Sequence, residues 1–136
     1  MLQELRERMI AHLSAYRTCV LASATTDGAS MIPVRYRNLR LEVECLLPRW
    51  SDVTHYIEQD PHVSLVIHAP DPGALRWLQL QGTARAVDAP LWDDLLPEGT
   101  HRTRPEDLYL VVRVTPQRLE FVDESRGWGG RETLDL

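Results

Sequence analysis

Short apolar segments separated by tight turns run through most of the chain, and this spacing restricts the fold more than any other feature. The segments "CVLASAT" (19–25) and "ASMIPVRYR" (29–37) predict two strands, joined in a hairpin by the turn signal "TDG". A third strand, "LEVECLL" (41–47), follows after a second tight connection. Pro33 cannot donate a hydrogen bond to a strand ladder, so we expect it at a sheet edge or a bulge.

Further strand-like segments continue the pattern toward the C-terminus. "HVSLVIHA" (62–69) is nearly continuous in apolar residues, which indicates a central strand, and "LRWLQLQGTARAVD" (75–88) predicts a long fifth strand. Gly82 inside that strand indicates a bulge or a close backbone approach. Residues 108–116 and 117–124 predict strands six and seven, and the tail beyond them is glycine-rich and then polar.

Helical patterns are few and short. Residues 2–15 place their apolar side chains on one face of an amphipathic helix. Residues 51–60 and 90–96 predict two short helices between strands. The whole chain, 1–136, therefore predicts a single, mainly β domain of the α+β class: an antiparallel barrel or sandwich with an N-terminal helix and one or two short crossover helices. The sequence contains neither the glycine-rich signature of dinucleotide-binding folds nor a P-loop.

Composition and charge exclude several classes of function. A hydrophobic content of 43% and a charged content of 26% are those of a folded domain. The net charge of −5 provides no basic field for nucleic acid. No apolar run approaches the length of a membrane span, and the charged N-terminus is not a secretory signal, so we expect a cytoplasmic protein that binds no membrane. The two Cys and five His lack the spacing of a metal site.

Four segments together resemble the pyridoxamine 5′-phosphate oxidase-like family of FMN-binding split barrels. These are "RTCVLASATTDGASMIPVRY" (17–36), "YIEQDPHVSLVIHA" (56–69), "LQLQGTARAV" (78–87) and "RLEFVDESRGWGGRETLDL" (118–136). They are similar, in order, to the family's opening hairpin, its helix and "NP-x-VSL" strand, its "V-x-V-x-G-x-A" strand, and the tails of its small members. None of these motifs is catalytic, so the resemblance specifies the fold more strongly than the function.

The resemblance implies a split β-barrel that forms a homodimer with a flavin in each groove between the barrels. FMN, or a deazaflavin, would rest against strand backbone and supply the redox chemistry of an oxidoreductase. The strand-borne Arg–Lys pair of true pyridoxamine phosphate oxidases has no match in this chain, so that activity is not expected. No side chain is predicted to be catalytic.

The resemblance places the phosphate near the third strand and the helix that follows, where Arg49, Trp50 and Ser51 lie. Arg49 can grip a phosphate, Trp50 can stack on a ring, and Ser51 can donate to phosphate while capping the helix. A plain Ser N-cap beside a solvated Arg and a packing Trp is the alternative. The family's usual Thr and Lys at this place are replaced by Leu47 and Val53.

Three other residues are candidates for the flavin site. Arg35 belongs to the segment that lines the flavin ring in the family, or alternatively it pairs with a glutamate on the next strand. Gln81 shares a strand face with Gln79, and its amide can bind the ring edge or form part of a polar outer face. Trp128 in "RGWGG" can cover a ligand, dock on a partner subunit, or anchor the tail.

Two functions therefore follow from the sequence. The first is an FMN-binding oxidoreductase of unidentified substrate, with Arg35, Arg49 and Ser51 at the phosphate or ring edge, Gln81 at the ring, and Trp50 or Trp128 on the ring face. The second is a split-barrel dimer that has lost FMN and acts as a binding or structural module. The replaced anchors and the acidic Asp52 at the helix start favour the second.

Overall fold

A computed structural model describes residues 2–71, 73–97 and 104–136 of the chain. The strands are β1 (Thr18–Thr25), β2 (Gly28–Leu39), β3 (Glu42–Pro48), β4 (His62–His68), β5 (Arg76–Ala86), β6 (Tyr109–Asp123) and β7 (Glu132–Asp135). The helices are α1 (Leu2–Ala15), α2 (Asp52–Gln59), α3 (Trp92–Leu95) and α4 (Pro105–Leu108), with a 3-10 turn at Glu124–Arg126. In the described residues, no helix combines the length and apolarity needed to span a bilayer.

The strands form one antiparallel sheet in the order β3-β2-β1-β4-β5-β6-β7, and pairing between β3 and β6 closes six of them into a barrel. The barrel is split because β3 reaches only part of each neighbour. Residues 28–34 of β2 pair with β1 alone, and residues 118–121 of β6 pair with β7 where β3 has ended. Pro33 thus lies on an unpaired stretch of strand edge, as its missing N–H requires. The expected mainly β split barrel is confirmed.

Alternation along each strand directs one row of side chains into the barrel. Leu21, Leu65, Leu80 and Leu119 on four neighbouring strands are fully buried there. Helix α1 covers one end of the barrel because Leu5, Met9 and Leu13 repeat every four residues along one face and join the same core. The Tyr36 hydroxyl, inside β2, donates to the Leu13 carbonyl at 2.6 Å and so ties the helix to the sheet.

Two details of the C-terminal half differ from expectation. The prediction of separate strands over 108–116 and 117–124 was wrong, because β6 is one strand of 15 residues. Its register against β5 shifts between Gln81 and Gly82, so the chain passes through Pro116 by a bulge and not by a turn. The polar tail, for which no strand was expected, contains β7.

Gly82 is required at that bulge by a close backbone approach. A Cβ atom built on Gly82 would lie 2.1 Å from the Thr115 carbonyl oxygen and 2.9 Å from its carbon. Real side chains never approach a backbone that closely, so only glycine fits. The sequence-based expectation of a bulge or close approach at this position is confirmed.

Candidate functional site

An open groove of about 630 Å³ lies on the outside of the barrel, near the β1–β2 turn. Its lining residues are Ala22, Ser23, Ala24, Ala29, Ser30, Met31, His62, Val63, Ser64, Gln81, Gly82 and Gln117. Most of them are small. They come from five neighbouring strands, so the groove is formed by the sheet itself and not by a mobile loop.

The groove exists because the outward positions of these strands carry little side-chain volume. Ala22 and Ala24 alternate with the buried Leu21 and Ser23 on β1, and strand pairing sets Ala29 opposite Ala24. Ser64 of β4 lies beside Ala22 and also pairs with Gln81 of β5. Small side chains leave strand backbone close to the surface, which gives a flat floor that a planar ring can cover.

Polar groups are placed around this floor. The Ser23 hydroxyl is buried and has no hydrogen-bond partner in the described residues. The Gln81 side chain is exposed on the floor, and Gln117 lies in the β6 bulge beside it. Amide and hydroxyl groups of this kind can meet the ring nitrogens and carbonyl oxygens of a heterocycle. Ser23 alternates with Ala22 and Ala24 along β1, so its hydroxyl points toward the barrel interior and not onto the floor.

His62 stands at the rim and is held by a neighbouring carboxylate. Its Nδ1 lies 2.8 Å from Asp60 Oδ1, and its backbone N–H donates to the same oxygen at 3.0 Å. These two hydrogen bonds lower the pKa of Asp60. The carboxylate fixes the ring orientation and leaves Nε2 as the atom available to a ligand.

Only one of the sequence-predicted site residues, Gln81, lines the groove of a single chain. Arg35 lies on β2 between Thr18 and Leu46, is exposed, and has no ion pair or side-chain hydrogen bond within the described ranges. The expected alternative, pairing with a glutamate, is found at Arg37, which contacts Glu44 at 2.8 Å. Of these two arginines of β2, Arg35 is therefore the one without a side-chain partner in the described residues.

The turn after β3 is already occupied by local contacts. Ser51 is 4% exposed, caps α2, and accepts a hydrogen bond from the Val53 backbone N–H at 3.1 Å. Arg49 Nε donates to the Glu106 carbonyl at 2.9 Å, which attaches the turn to α4. Trp50 is 81% exposed, so it does not belong to the core of the described chain. The phosphate roles of Arg49, Trp50 and Ser51 remain predictions.

Two further findings concern the remaining candidates. Trp128 is 89% exposed between Gly127 and Gly129, and both glycines have the positive φ angles that favour a tight loop. Leu47 and Val53, at the places of the family's Thr and Lys, are fully buried in the core. Neither position can present a group to phosphate, whatever the ligand.

Sequence reasoning missed most of the groove-lining residues, above all Ala22, Ala24 and Ser64. Small side chains carry no chemical signature of their own. The signal that could have found them is the density of small residues in "ASATTDGAS" (22–30), since outward alanines on a strand indicate something that lies flat on it. Across the described chain, no cluster of three His, Cys, Asp or Glu side chains is arranged to hold a metal ion.

No protein-family model matches the chain, and no curated protein does so either. Several solved structures share its fold. A Clostridium acetobutylicum protein, described as related to general stress protein 26 and of the pyridoxinephosphate oxidase family, superposes with a TM-score of 0.76 at 10% identity. That alignment covers 98% of this chain and 96% of the other.

Two other structures carry descriptions of bound groups. A FAD-binding protein from Mesorhizobium loti gives a TM-score of 0.61 at 13% identity, over 80% of this chain and 87% of that one. A heme-binding protein from Mycobacterium smegmatis gives 0.73 at 22% identity, over 96% of this chain and 56% of that one. The chain therefore has the split-barrel fold of the pyridoxamine 5′-phosphate oxidase-like proteins, as its sequence motifs indicated.

Proposed function

We propose that this chain is a flavin-binding protein that holds the ring of FMN in the groove on β1, β2, β4 and β5. The observation that carries the proposal is the groove itself: a flat, small-residue floor that carries the exposed Gln81 amide and has His62 at its rim. Bound there, FMN would supply two-electron redox chemistry, which makes an oxidoreductase the function that fits best. The substrate class is left open.

The chain's own residues would bind and orient the ring. Backbone of β1 and β4 near Ala22 and Ser64 offers a face for the isoalloxazine, and the Gln81 amide offers a donor and an acceptor for its pyrimidine edge. The small side chains allow a close approach, which excludes water from that face. A deazaflavin has the same shape and would occupy the same floor.

We propose that a second chain supplies the charged groups for the phosphate, because no Arg of the described residues lines the groove. Arg35 is exposed and unpaired, and Arg49 lies just beyond the end of the neighbouring strand β3. We propose that these arginines of one protomer meet a phosphate whose ring lies on the partner's groove. An Arg guanidinium binds phosphate in a bidentate manner, which suits a site built across an interface.

We propose a homodimer because an exposed apolar patch lies next to the groove. Val20, Met31 and Pro33 point outward, and strand pairing sets Val20 between Pro33 and Val66. Met31 is 71% exposed and Val20 40% exposed. Contiguous exposed apolar surface of this kind marks an interaction site, and a second copy of the chain would cover it while completing the groove.

The proposed dimer can be tested by the mass of the protein in solution, which one substitution should halve. Sedimentation velocity should give twice the chain mass, and Met31→Asp should give a monomer, because a charge would be buried at the centre of the patch without a partner. Leu91→Asp is the matched control, since Leu91 is 56% exposed on a different surface, and it should remain dimeric. A wild-type chain that sediments as a monomer at micromolar concentration would contradict the proposed dimer.

Flavin binding is tested by parallel fluorescence titrations with FMN and riboflavin, which differ only in the phosphate. Gln81→Ala should weaken both ligands about threefold to tenfold, because it removes a neutral hydrogen bond to the ring. Arg35→Ala should weaken FMN about tenfold or more and leave riboflavin unchanged, because it removes a charged contact to phosphate alone. If Arg49 also contacts the phosphate, Arg49→Ala should weaken FMN and leave riboflavin unchanged.

The controls separate flavin binding from the alternative functions. Arg6→Ala removes an arginine of α1 that lines neither the groove nor the turn, and it should change neither affinity. If the wild-type chain leaves the fluorescence of both flavins unchanged, the flavin proposal is wrong. A dimer without flavin binding would then support the second function, a binding or structural module. Titration with hemin in parallel tests the group named for the mycobacterial structure.

A further inference from the structure

A second cavity, of about 390 Å³, lies between α1 and the adjoining ends of β5 and β6. It shares no lining residue with the flavin groove. Its volume is within the range of small-molecule sites in proteins. The proposed flavin function uses none of its residues.

Three arginines from three separate segments converge on this cavity. Arg8 comes from α1, Arg76 from the start of β5, and Arg126 from the 3-10 turn after β6. Two carboxylates oppose them. Glu132 lies 2.6 Å from Arg8, and Asp123 lines the cavity and accepts hydrogen bonds from Ser125. Glu4 and Asp71 lie farther out and also attract Arg8 and Arg76, so the charges of the region are mixed, with the three guanidinium groups at the cavity itself.

Several donors of these arginines are unpaired. Arg8 Nε and Nη1 and Arg76 Nε are shielded from solvent, and none has a hydrogen-bond partner among the described residues. The remaining contacts are to Glu132 from Arg8 Nη2 and to the Tyr16 hydroxyl from Arg76 Nη2, at 3.2 Å. Buried donors without acceptors are unfavourable, and folded proteins usually satisfy them with a ligand or ordered water.

The other walls of the cavity are apolar and aromatic. The His12 ring lies edge-on to Tyr16 at 5.0 Å and to Phe121 at 5.2 Å. Burial lowers the pKa of His12, whose Nε2 contacts the Ile67 carbonyl at 2.8 Å, so the ring is a neutral wall and not a fourth cation. Ala11 and Ala15 complete this side without filling it. Such a wall suits the apolar body of an organic ligand.

We propose that this cavity binds a small organic anion, with its carboxylate or phosphate on Arg8, Arg76 and Arg126 and its apolar or aromatic body against Phe121 and Tyr16. The anion supplies the acceptors that the unpaired guanidinium donors lack. Its apolar body distinguishes it from inorganic phosphate, which has no group to place against Tyr16. Phe121 is 5% exposed and has the Arg8 guanidinium 5.9 Å from its ring centroid, so it offers the ligand only an edge. The site is independent of the flavin groove and adds a second ligand to the chain.

Isothermal titration calorimetry with four probes tests the proposal on the full chain. Benzoate and phenyl phosphate are expected to bind, and the tighter of the two identifies the anionic group. Inorganic phosphate should bind more weakly than phenyl phosphate. Benzamide, which has the ring of benzoate without its charge, should not bind. Equal binding of benzamide and benzoate, or saturable binding of none of the four at millimolar concentration, overturns the proposal.

Two arginine variants test whether the anion binds in this cavity. Arg76→Met should weaken the better anion about tenfold or more, because it removes a charged donor while keeping much of the side-chain volume. Arg126→Glu should weaken it about fivefold by reversing a charge at the cavity mouth. Arg126 is half exposed and its ion pair with Glu132 is long, at 3.8 Å, so this variant tests the site even if the first fails to fold.

The matched control is Arg6→Met, two residues from Arg8 on the same helix but outside the cavity, and it should bind the anion as the wild type does. Anion binding that both Arg76→Met and Arg126→Glu leave unchanged would overturn the assignment to this cavity. The result does not depend on flavin, because riboflavin and FMN titrations report on the groove and these variants leave the groove intact.

Discussion

Replacement of Glu44 by Ala is expected to lower the free energy of unfolding by about 3 kcal/mol. Glu44 is only 1% exposed, yet it is ionisable and points outward from β3. Its Oε1 accepts from Arg37 Nε of β2 at 2.8 Å, and its Oε2 accepts from Arg113 Nη2 of β6 at 2.7 Å. The three side chains thus form a charged row across the seam where β3 closes the barrel.

The size of the effect follows from what the substitution leaves behind. Without the carboxylate, Arg37 keeps only its longer contact with Asp94 at 3.5 Å, and Arg113 loses its partner on β3. Their side chains are 21% and 44% exposed, so both retain some solvent contact, and the cost stays at the lower end of the range for a broken buried ion pair. A cavity at the seam adds to the loss.

Urea denaturation measures the change, with Glu42→Ala as the matched control. Glu42 lies on the same strand and the same face, but it accepts only a long hydrogen bond of 3.3 Å from Thr115 at an exposed position. The control should change stability by less than about 0.5 kcal/mol. Equal effects of the two substitutions would show that the charged row does not stabilise the closure of the barrel.

Replacement of Gly82 by Ala is expected to destabilise the chain by roughly 3 kcal/mol or more. The added methyl group would lie 2.1 Å from the Thr115 carbonyl oxygen, and the neighbouring contacts are also backbone atoms. Backbone cannot rotate away as a flexible side chain can. The β5–β6 pairing must therefore open at the bulge, which also alters the groove floor at Gly82.

The matched control is Gly130→Ala, where an added Cβ meets nothing within 4 Å. Thermal unfolding should show a large fall in midpoint for Gly82→Ala and almost none for Gly130→Ala. If the two variants unfold at the same temperature, the close approach between Gly82 and Thr115 is not a feature of the folded chain.

Three of the four helices and most strands were predictable because their signals are local, whereas the four-residue α4 (Pro105–Leu108) lies in a segment that we expected to be a loop. The four-residue spacing of apolar side chains gave α1 its bounds, and Ser51 followed by Asp52 marked the start of α2. β6 was wrongly divided because Pro116 normally ends a strand. Pro116 fits within β6 because it pairs with Gly82 of β5 at the bulge, and the sequence alone does not predict this pairing.

The candidate site was predictable only in part, for a physical reason. Gln81 was found because strand alternation assigns its face from the sequence and the family resemblance points to that face as the flavin side; alternation alone equally allowed a polar outer surface. Ala22 and Ser64 form one floor only after β1 and β4 pair, and the pairing register is a tertiary property. The expected N-cap at Ser51 is confirmed, because its hydroxyl accepts from the Val53 backbone N–H, while its phosphate role stays a prediction. The proposed phosphate contact of Arg35 lies between two chains, so the sequence of one chain does not predict it.

The central claim, that the groove holds a flavin ring, is tested most directly by titrating FMN into the ¹⁵N-labelled chain and following assigned backbone amides. We expect the largest saturable shifts at Ala22, Ala24, Ser64 and Gly82, with smaller shifts at Arg35. Saturable shifts confined to other surfaces, or no shifts at millimolar FMN, would contradict the account.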